Sequence, residues 1–477
     1  MESAIVLYPS PGRGHLVSMV ELGKLLLSQN PSFNINIVVS IPPFEAGSTG
    51  QYVAAVSAAN PSITFLHLPT VSLARSYSFP EDFPVLSYDL AELNNSNLSH
   101  VLSSLSKSFI IKAFIIDFFN TASFQVSSCF NIPTYYFFTS NASGLAAFLF
   151  LPTIHKNTKK SLKDLDILVE VPGVPPIPAK DMPVAILDRT TKAYEYFMGT
   201  AIHMAKSAGL IVNSFELLEQ RALKAILNGE CVLGESVPPI YCIGPVIETS
   251  NGSEASEDEH ECLSWLNSQP SRSVLFLCFG SLGVFSAKQL QQMAIGLEKS
   301  GVRFLWVVRN PPPDQETLNV LTAAEPNLET LLPEGFLQRT KDKGLVVKLW
   351  APQVKVLSHD SVGGFVTHCG WNSVLEALRA GVPMLAWPLY AEQKMNRLFL
   401  VEEMKVALWV SESEDGLVSA AELENRVNEL MDSKKGKVVR ERVMAMRDEA
   451  AAAREDGGSS RVALVKLINS LKRGWTC

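Results

Sequence analysis

Short apolar runs alternate along the whole chain with stretches whose apolar positions fall at helical spacing. In the first half, residues 4–10 (AIVLYPS), 33–40 (FNINIVVS), 62–69 (SITFLHLP), 111–119 (IKAFIIDFF), 134–140 (TYYFFTS), 210–215 (LIVNSF) and 240–246 (IYCIGPV) read as strands. After the glycine-rich turn 11–15 (PGRGH), Leu16, Met19, Val20, Gly23, Leu26 and Leu27 share one face of a helix. Further helices are expected near 86–107, 121–129, from about 143, and near 191–207, with the proline-rich 171–183 as a surface loop. The alternation restarts with strands at 274–281, 303–309, 344–350, 362–369, 383–388 and 406–410, and helices near 418–431, 436–453 and 459–473 close the chain. Strands alternating with helices predict an α/β protein built on parallel, doubly wound sheets.

At 477 residues the chain exceeds one ordinary core. The boundary falls at Glu248–Glu261 (ETSNGSEASEDEHE), a polar, acidic stretch without periodicity that reads as a linker. It separates a domain over 1–247 from one over 262–457, with a cleft expected between them. A net charge of −7 gives no basic footprint for nucleic acid or anionic lipid. Seven cysteines without a CxxC pair suggest neither a disulfide framework nor structural zinc. The first residues lack a signal peptide's layout, and no apolar run reaches the ~20 residues that span a bilayer. A cytoplasmic protein without integral membrane association, acting as a monomer, is the expectation.

His15 lies just past a strand on a turn with Gly12 and Gly14, where ligands of open α/β sheets bind. Asp117 ends another strand of the same half; if the two ends adjoin, it can hold one imidazole nitrogen and leave the other as a base. The bland reading of Asp117 is a cap on the next helix. PGRGH lacks the third glycine of a dinucleotide fingerprint, and strand 33–40 ends without an acid for a ribose, so a nicotinamide enzyme is not indicated. No G-x-S-x-G occurs. His359-Asp360-Ser361 are sequence neighbours, unable to converge on one atom, and read as a helix-to-strand loop. Phe118, Phe119, Tyr135, Tyr136, Phe148, Phe150, Tyr196 and Phe197 are core aromatics, a few of which could line a pocket.

The stretch Trp350–Gln393 carries the most chemistry. Strand VGGFVTHC runs through His368 into a helix with Asn372 or Ser373 near its cap, an arrangement that binds anions through backbone N–H groups and the helix dipole. Trp350 offers a flat face and Ala351-Pro352 bare backbone. Glu376 lies one turn into the helix, where it could accept ribose hydroxyls, and Glu392-Gln393 suit a sugar. Ser281, after strand 274–281, could add a phosphate contact. Something flat, phosphorylated and polyhydroxylated suggests a nucleotide sugar.

This stretch resembles the signature box of plant family-1, UDP-dependent glycosyltransferases: it opens with WAPQ, contains THCGWNS and GVP, and closes on an acidic-Gln pair. PGRGH, IIDFF and CFGS extend the resemblance through the chain, which looks most like the flavonoid, isoflavone and chalcone glucosyltransferases. The resemblance implies a GT-B fold, two Rossmann-like domains, with residues 458–477 forming a last helix that crosses back onto the first domain. It implies His15 as catalytic base and Asp117 as its partner. Trp350 would stack on uracil, with Ala351 and Gln353 contacting that base, and Glu376 would bind the ribose. His368, Asn372, Ser373 and Ser281 would contact the diphosphate; Trp371, Glu392, Gln393 and Thr139 the sugar. Many members carry Asp where this chain has Glu392. Gln393 and the retained Trp350 favour UDP-glucose over UDP-galactose and UDP-glucuronate.

The expected reaction is inverting, metal-independent transfer of glucose from UDP-glucose, a co-substrate rather than a cofactor, to a hydroxyl of a small phenol. The alternatives are a C-glucosyltransferase, a UDP-sugar epimerase and a non-catalytic UDP-sugar-binding protein.

Overall fold

In a computed structural model of the chain, the apolar runs form two all-parallel sheets. Residues 1–40, 48–73, 77, 82–232, 234, 236–248, 260–312 and 325–473 are described. Most of the acidic stretch 248–261 lies outside them. The chain divides into two compact units, Met1–Ser253 with Ala451–Cys477, and Glu254–Ala450.

The first unit holds β1 (Glu2–Tyr8), β2 (Asn34–Val39), β3 (Ile63–His67), β4 (Phe109–Asp117), β5 (Thr134–Phe138), β8 (Gly209–Val212) and β9 (Ile240–Cys242) in the order β3-β2-β1-β4-β5-β8-β9. Part of the proline-rich segment is a strand: β6 (Leu168–Val169), just before it, and β7 (Ile177–Pro178), within it, pair as a short antiparallel ladder. Helix Arg13–Gln29 buries Leu16, Met19, Val20 and Leu26 against the sheet, following its apolar spacing. The region near 86–107 is two helices, Phe83–Leu93 and Asn95–Leu105, which break at Asn94. Asn94 Nδ2 bonds the carbonyl of Leu90, a local side-chain bond that competes with continued helix. Helix Ser459–Arg473 covers the same face beside it, placing Leu464, Leu467, Ile468 and Leu471 in one core with Leu16, Met19, Ile5, Leu7, Ile115 and Phe137.

The second unit holds β10 (Val274–Cys278), β11 (Arg303–Val308), β12 (Gly344–Lys348), β13 (Val362–Thr367), β14 (Met384–Ala386) and β15 (Ala407–Trp409) in the order β12-β11-β10-β13-β14-β15. Its centre is wholly buried, with Phe276 and Phe365 stacked at 5.3 Å across β10 and β13. Buried on both faces, these strands read as apolar runs without alternation, as parallel sheets do.

The strand order of each sheet reverses once, in the first between β1 and β4, in the second between β10 and β13. In open α/β sheets the crevice at such a reversal, beyond the carboxyl ends of the strands, is where ligands bind. The residues after β1 and β10, and those ending or following β4 and β13, occupy that place here.

Candidate active site

In the first unit, Tyr8 of β1 pairs with Ile116 of β4, so the turn after β1 stands beside the end of β4. His15, in the first turn of helix Arg13–Gln29, places Nδ1 2.8 Å from Asp117 Oδ2. Asp117 is fully buried, and its other oxygen accepts the Phe118 N–H at 2.7 Å. The carboxylate therefore caps the next turn and contacts the imidazole at once. An acceptor-only carboxylate beside Nδ1 assigns the proton to that nitrogen and the lone pair to Nε2, the form a general base requires. Thr139, one residue beyond β5, has Oγ1 3.5 Å from His15 Nδ1.

Aromatic rings wall this corner. Phe119 meets His15 edge-on at 5.7 Å, and Phe118 touches Phe119, Phe148 and Phe197 at 4.5, 5.0 and 5.1 Å. Tyr196 stacks on Tyr88 at 4.6 Å. Tyr135 belongs elsewhere, its hydroxyl bonded to Ser470 of the closing helix.

In the second unit, β13 delivers His368 to the reversal of strand order. Cys369 follows with φ +67, a left-handed residue that turns the strand sharply into helix Trp371–Ala380, and Asn396 Nδ2 holds its carbonyl at 3.0 Å. The helix opens at Trp371 with Gly370 as its N-cap, so Asn372 and Ser373 lie within the first turn rather than capping it. Glycine supplies no side-chain acceptor, and the first-turn N–H groups have no carbonyl within the helix.

The His368 ring is wedged between two glycines. A Cβ on Gly280 would fall 2.7 Å from Nε2, and one on Gly370 would fall 2.4 Å from it. The ring is buried, Nδ1 has no hydrogen-bond partner among the described residues, and burial pulls its pKa down to about 4. Burial thus favours the neutral imidazole, whose N–H can donate but which carries no counter-charge.

Gln353 Nε2 donates to Ser373 Oγ at 2.9 Å and to Glu376 Oε2 at 2.6 Å, drawing three of the expected residues into one cluster. Trp350 follows a left-handed Leu349 and remains 53% exposed, its ring edge-on to His260 at 5.6 Å; Ala351 beside it is buried. Gln393 is buried and turned inward, Oε1 accepting the Leu389 and Tyr390 N–H groups at 2.8 and 3.0 Å. With both lone pairs so used, a sugar hydroxyl can meet this side chain only through the amide nitrogen. Glu392 Oε1 lies 3.5 Å from Asn396 Nδ2, and Trp371 is buried at the helix start.

Arg309 escaped the sequence reading. It follows β11, and its Nη1 donates to the carbonyl of the exposed Ser281 at 2.5 Å, pinning the loop after β10. Its position at the carboxyl end of a buried parallel strand was the available signal. His359, by contrast, is a loop residue bonded to Ser361 and Asn267.

A family model described as UDP-glucoronosyl and UDP-glucosyl transferase matches residues 241–448. An anthocyanidin 5,3-O-glucosyltransferase of a Rosa hybrid cultivar is 54% identical, over 98% of this chain and 99% of its own. The chain belongs to the UDP-glycosyltransferase family. This glycosyltransferase is also 48% identical to isoflavone 7-O-glucosyltransferase 1 of Glycine max, over 99% of this chain and the whole relative. Phytolacca americana UGT2, solved with UDP-2fluoro-glucose and pterostilbene, superposes with a TM-score of 0.86 at 36% identity, over 98% of this chain and 99% of that one. The enzyme has the GT-B fold, with two Rossmann-like units.

Proposed function

We propose that the enzyme transfers glucose from UDP-glucose to a hydroxyl of a small phenol, of the flavonoid, isoflavone or chalcone class, with inversion to a β-O-glucoside. The reading rests first on the 2.8 Å contact between His15 Nδ1 and the buried Asp117 carboxylate, a base held in its working tautomer beside an aromatic wall. The substrates named for the rose and soybean relatives support the acceptor class.

His15 Nε2 takes the phenolic proton as the oxygen attacks the anomeric carbon. The carbon–oxygen bond to the β-phosphate breaks, UDP departs, and Asp117 stabilises the imidazolium. The leaving diphosphate is met by neutral His368, by Asn372 and Ser373 in the first turn of their helix, and by Ser281, without a metal. Trp350 stacks on uracil beside Ala351. Glu376, oriented by Gln353, holds the ribose. Trp371, Glu392, Gln393 and Thr139 contact the sugar. General-base catalysis of this kind contributes about 10²–10⁴-fold. We place the enzyme in the cytoplasm as a monomer, with no cofactor; among the described residues no helix is long and apolar enough to cross a membrane.

The test is purified protein with UDP-glucose and a panel of flavones, isoflavones, chalcones and simple phenols, products identified by mass spectrometry and NMR. A β-linked, acid-labile glucoside is expected, and His15→Ala loses turnover while retaining UDP. An acid-stable product would indicate C-glucosylation; no turnover on any hydroxylated aromatic would overturn the reading.

A further inference from the structure

Residues 279–286 join β10 to helix Ala287–Ser300. The two ends of this loop are held by aromatic packing. Phe279 meets Phe285 edge-on at 4.6 Å, and both rings meet the buried Trp387, at 5.6 and 5.3 Å. Between them Gly280 turns the chain at φ +73, and Ser281 is exposed. The tip of the loop has a separate fastening.

That fastening comes from the neighbouring strand. β10 and β11 run side by side with Leu277 opposite Trp306. Gly280 and Arg309, each three residues further on, therefore leave the sheet at the same level. Arg309 Nη1 donates to the Ser281 carbonyl at 2.5 Å, and among the described residues Ser281 makes no other hydrogen bond. Burial holds the Arg309 pKa below the ordinary arginine value, and Cys278 and Tyr390, rather than a carboxylate, are the ionisable groups that counter this. Taking a guanidinium out of water without a counter-ion is unfavourable, so an apolar side chain would serve packing better here. What the guanidinium adds is a charge-assisted bond, stronger than one between neutral groups, delivered to a carbonyl on an exposed turn.

The segment so held adjoins two of the residues proposed to meet the diphosphate. Ser281 is one. The other is His368, whose ring lies so close to Gly280 that a Cβ there would fall 2.7 Å from Nε2. A shift of the tip thus moves the Ser281 hydroxyl and disturbs the packing of the imidazole together.

We infer that Arg309 is a positioning residue for the donor, holding the loop after β10 in the setting that lets Ser281 and His368 receive one diphosphate. The inference rests on the donor site proposed above. Arg309 acts through Ser281 and Gly280, whereas Trp350 and Glu376 meet the base and ribose from other elements. Its loss therefore falls on the phosphates.

The test compares UDP with uridine, which has the base and ribose but no phosphate, by calorimetry on the wild type and Arg309→Ala, uridine being measured by displacement of UDP. Uridine affinity is expected unchanged, while UDP weakens about tenfold or more, the scale of one hydrogen bond to a charged group. General loss of structure would weaken both ligands alike, so the UDP-to-uridine ratio tells positioning from mere stability. Guanidinium chloride at low concentration, matched against sodium chloride, restores UDP affinity to Arg309→Ala and leaves the wild type unmoved. Arg309→Lys keeps the charge without the fork, falls between the two, and serves if the alanine variant does not fold. In initial rates the KM for UDP-glucose rises by the same factor, and the KM for the phenol does not. An unchanged UDP-to-uridine ratio in Arg309→Ala, while His368→Gln still weakens UDP, overturns this inference alone. If His368→Gln also leaves UDP affinity unchanged, the donor-site reading fails and the inference falls with it.

Discussion

Replacing Asp117 by asparagine keeps the shape of a fully buried side chain and removes its charge. The two existing bonds dictate how the variant rearranges. One oxygen accepts the Phe118 N–H at 2.7 Å, and the other faces His15 Nδ1 at 2.8 Å. In the variant the amide oxygen stays with the backbone N–H, so the amide nitrogen turns on the imidazole, donor against donor. The ring answers by moving its proton to Nε2, the nitrogen that must act as base. The attraction that stabilises the imidazolium is also lost: unit charges about 4 Å apart at an effective dielectric of about 20 interact by about 4 kcal/mol. At roughly 1.4 kcal/mol per factor of ten, a loss of about 3–4 kcal/mol lowers kcat about 10²–10³-fold. Initial rates with UDP-glucose and an isoflavone between pH 6 and 9 measure the effect, and calorimetric UDP titration checks the proposed donor site, whose UDP-contacting residues belong to the second unit. A kcat within about threefold of wild type across that range, with UDP affinity unchanged, would refute the role given to Asp117.

Three further outcomes are expected. Trp350→Ala, at a half-exposed ring, leaves the thermal midpoint nearly unmoved but weakens UDP about tenfold or more, as loss of base stacking worth ~1–3 kcal/mol requires; equal UDP affinity by calorimetry would remove Trp350 from the base site. Gly370→Ala, at an ordinary φ of −63, sets a methyl 2.4 Å from His368 Nε2 and forces the ring aside. UDP affinity should fall about 10–100-fold, by the ~1–3 kcal/mol of overpacking, and an unchanged dissociation constant would show that the ring has no part in binding. His368 gives a pH dependence: with a folded pKa of about 4 against an ordinary 6.5, the unfolded chain takes the proton first. The corresponding stability is complete above about pH 6.5 and lost as pH falls through 4, a span of about 3 kcal/mol, of which about 2 kcal/mol is gone by pH 5. Urea unfolding of the ligand-free enzyme at pH 5 and 7 should show this drop in the wild type and not in His368→Gln; equal drops would refute it.

The alternation of apolar runs and helical stretches disclosed nearly every strand and helix, because strands buried on both faces carry a continuous apolar signature. The sheet order was less accessible. That β1 lies against β4 brings His15 within 2.8 Å of a residue 102 positions away, and only the pairing itself reveals it. The residues proposed for the donor form a linear group in the sequence because one strand, one turn and one helix carry most of them. Their states were not legible there. The neutral form of His368 depends on burial between Gly280 and Gly370, which local sequence does not express. Gln393 looked like a sugar ligand and is first a clamp on the loop at Leu389–Tyr390. Glu219 attracted no notice, yet this buried carboxylate accepts the Ala142 and Ser143 N–H groups at 2.9 and 2.8 Å, fastening the helix that follows Thr139. An acid at this point in the sequence gives no sign that its partners lie 76 and 77 residues upstream.

Helix Ser459–Arg473 gives the first unit a split chain. Its Ser470 hydroxyl meets Tyr135 at 2.8 Å across 335 residues of sequence, and Ser460 bonds the Gly244 carbonyl at 2.6 Å. During synthesis the second unit is made before this helix emerges, so the sheet completed first must wait with part of an apolar face uncovered while a later one can already close. The order of translation and the order of completion are thus inverted. Swapping whole first units between relatives as contiguous segments would pair a sheet with another protein's closing helix, and the exchange should carry both pieces together.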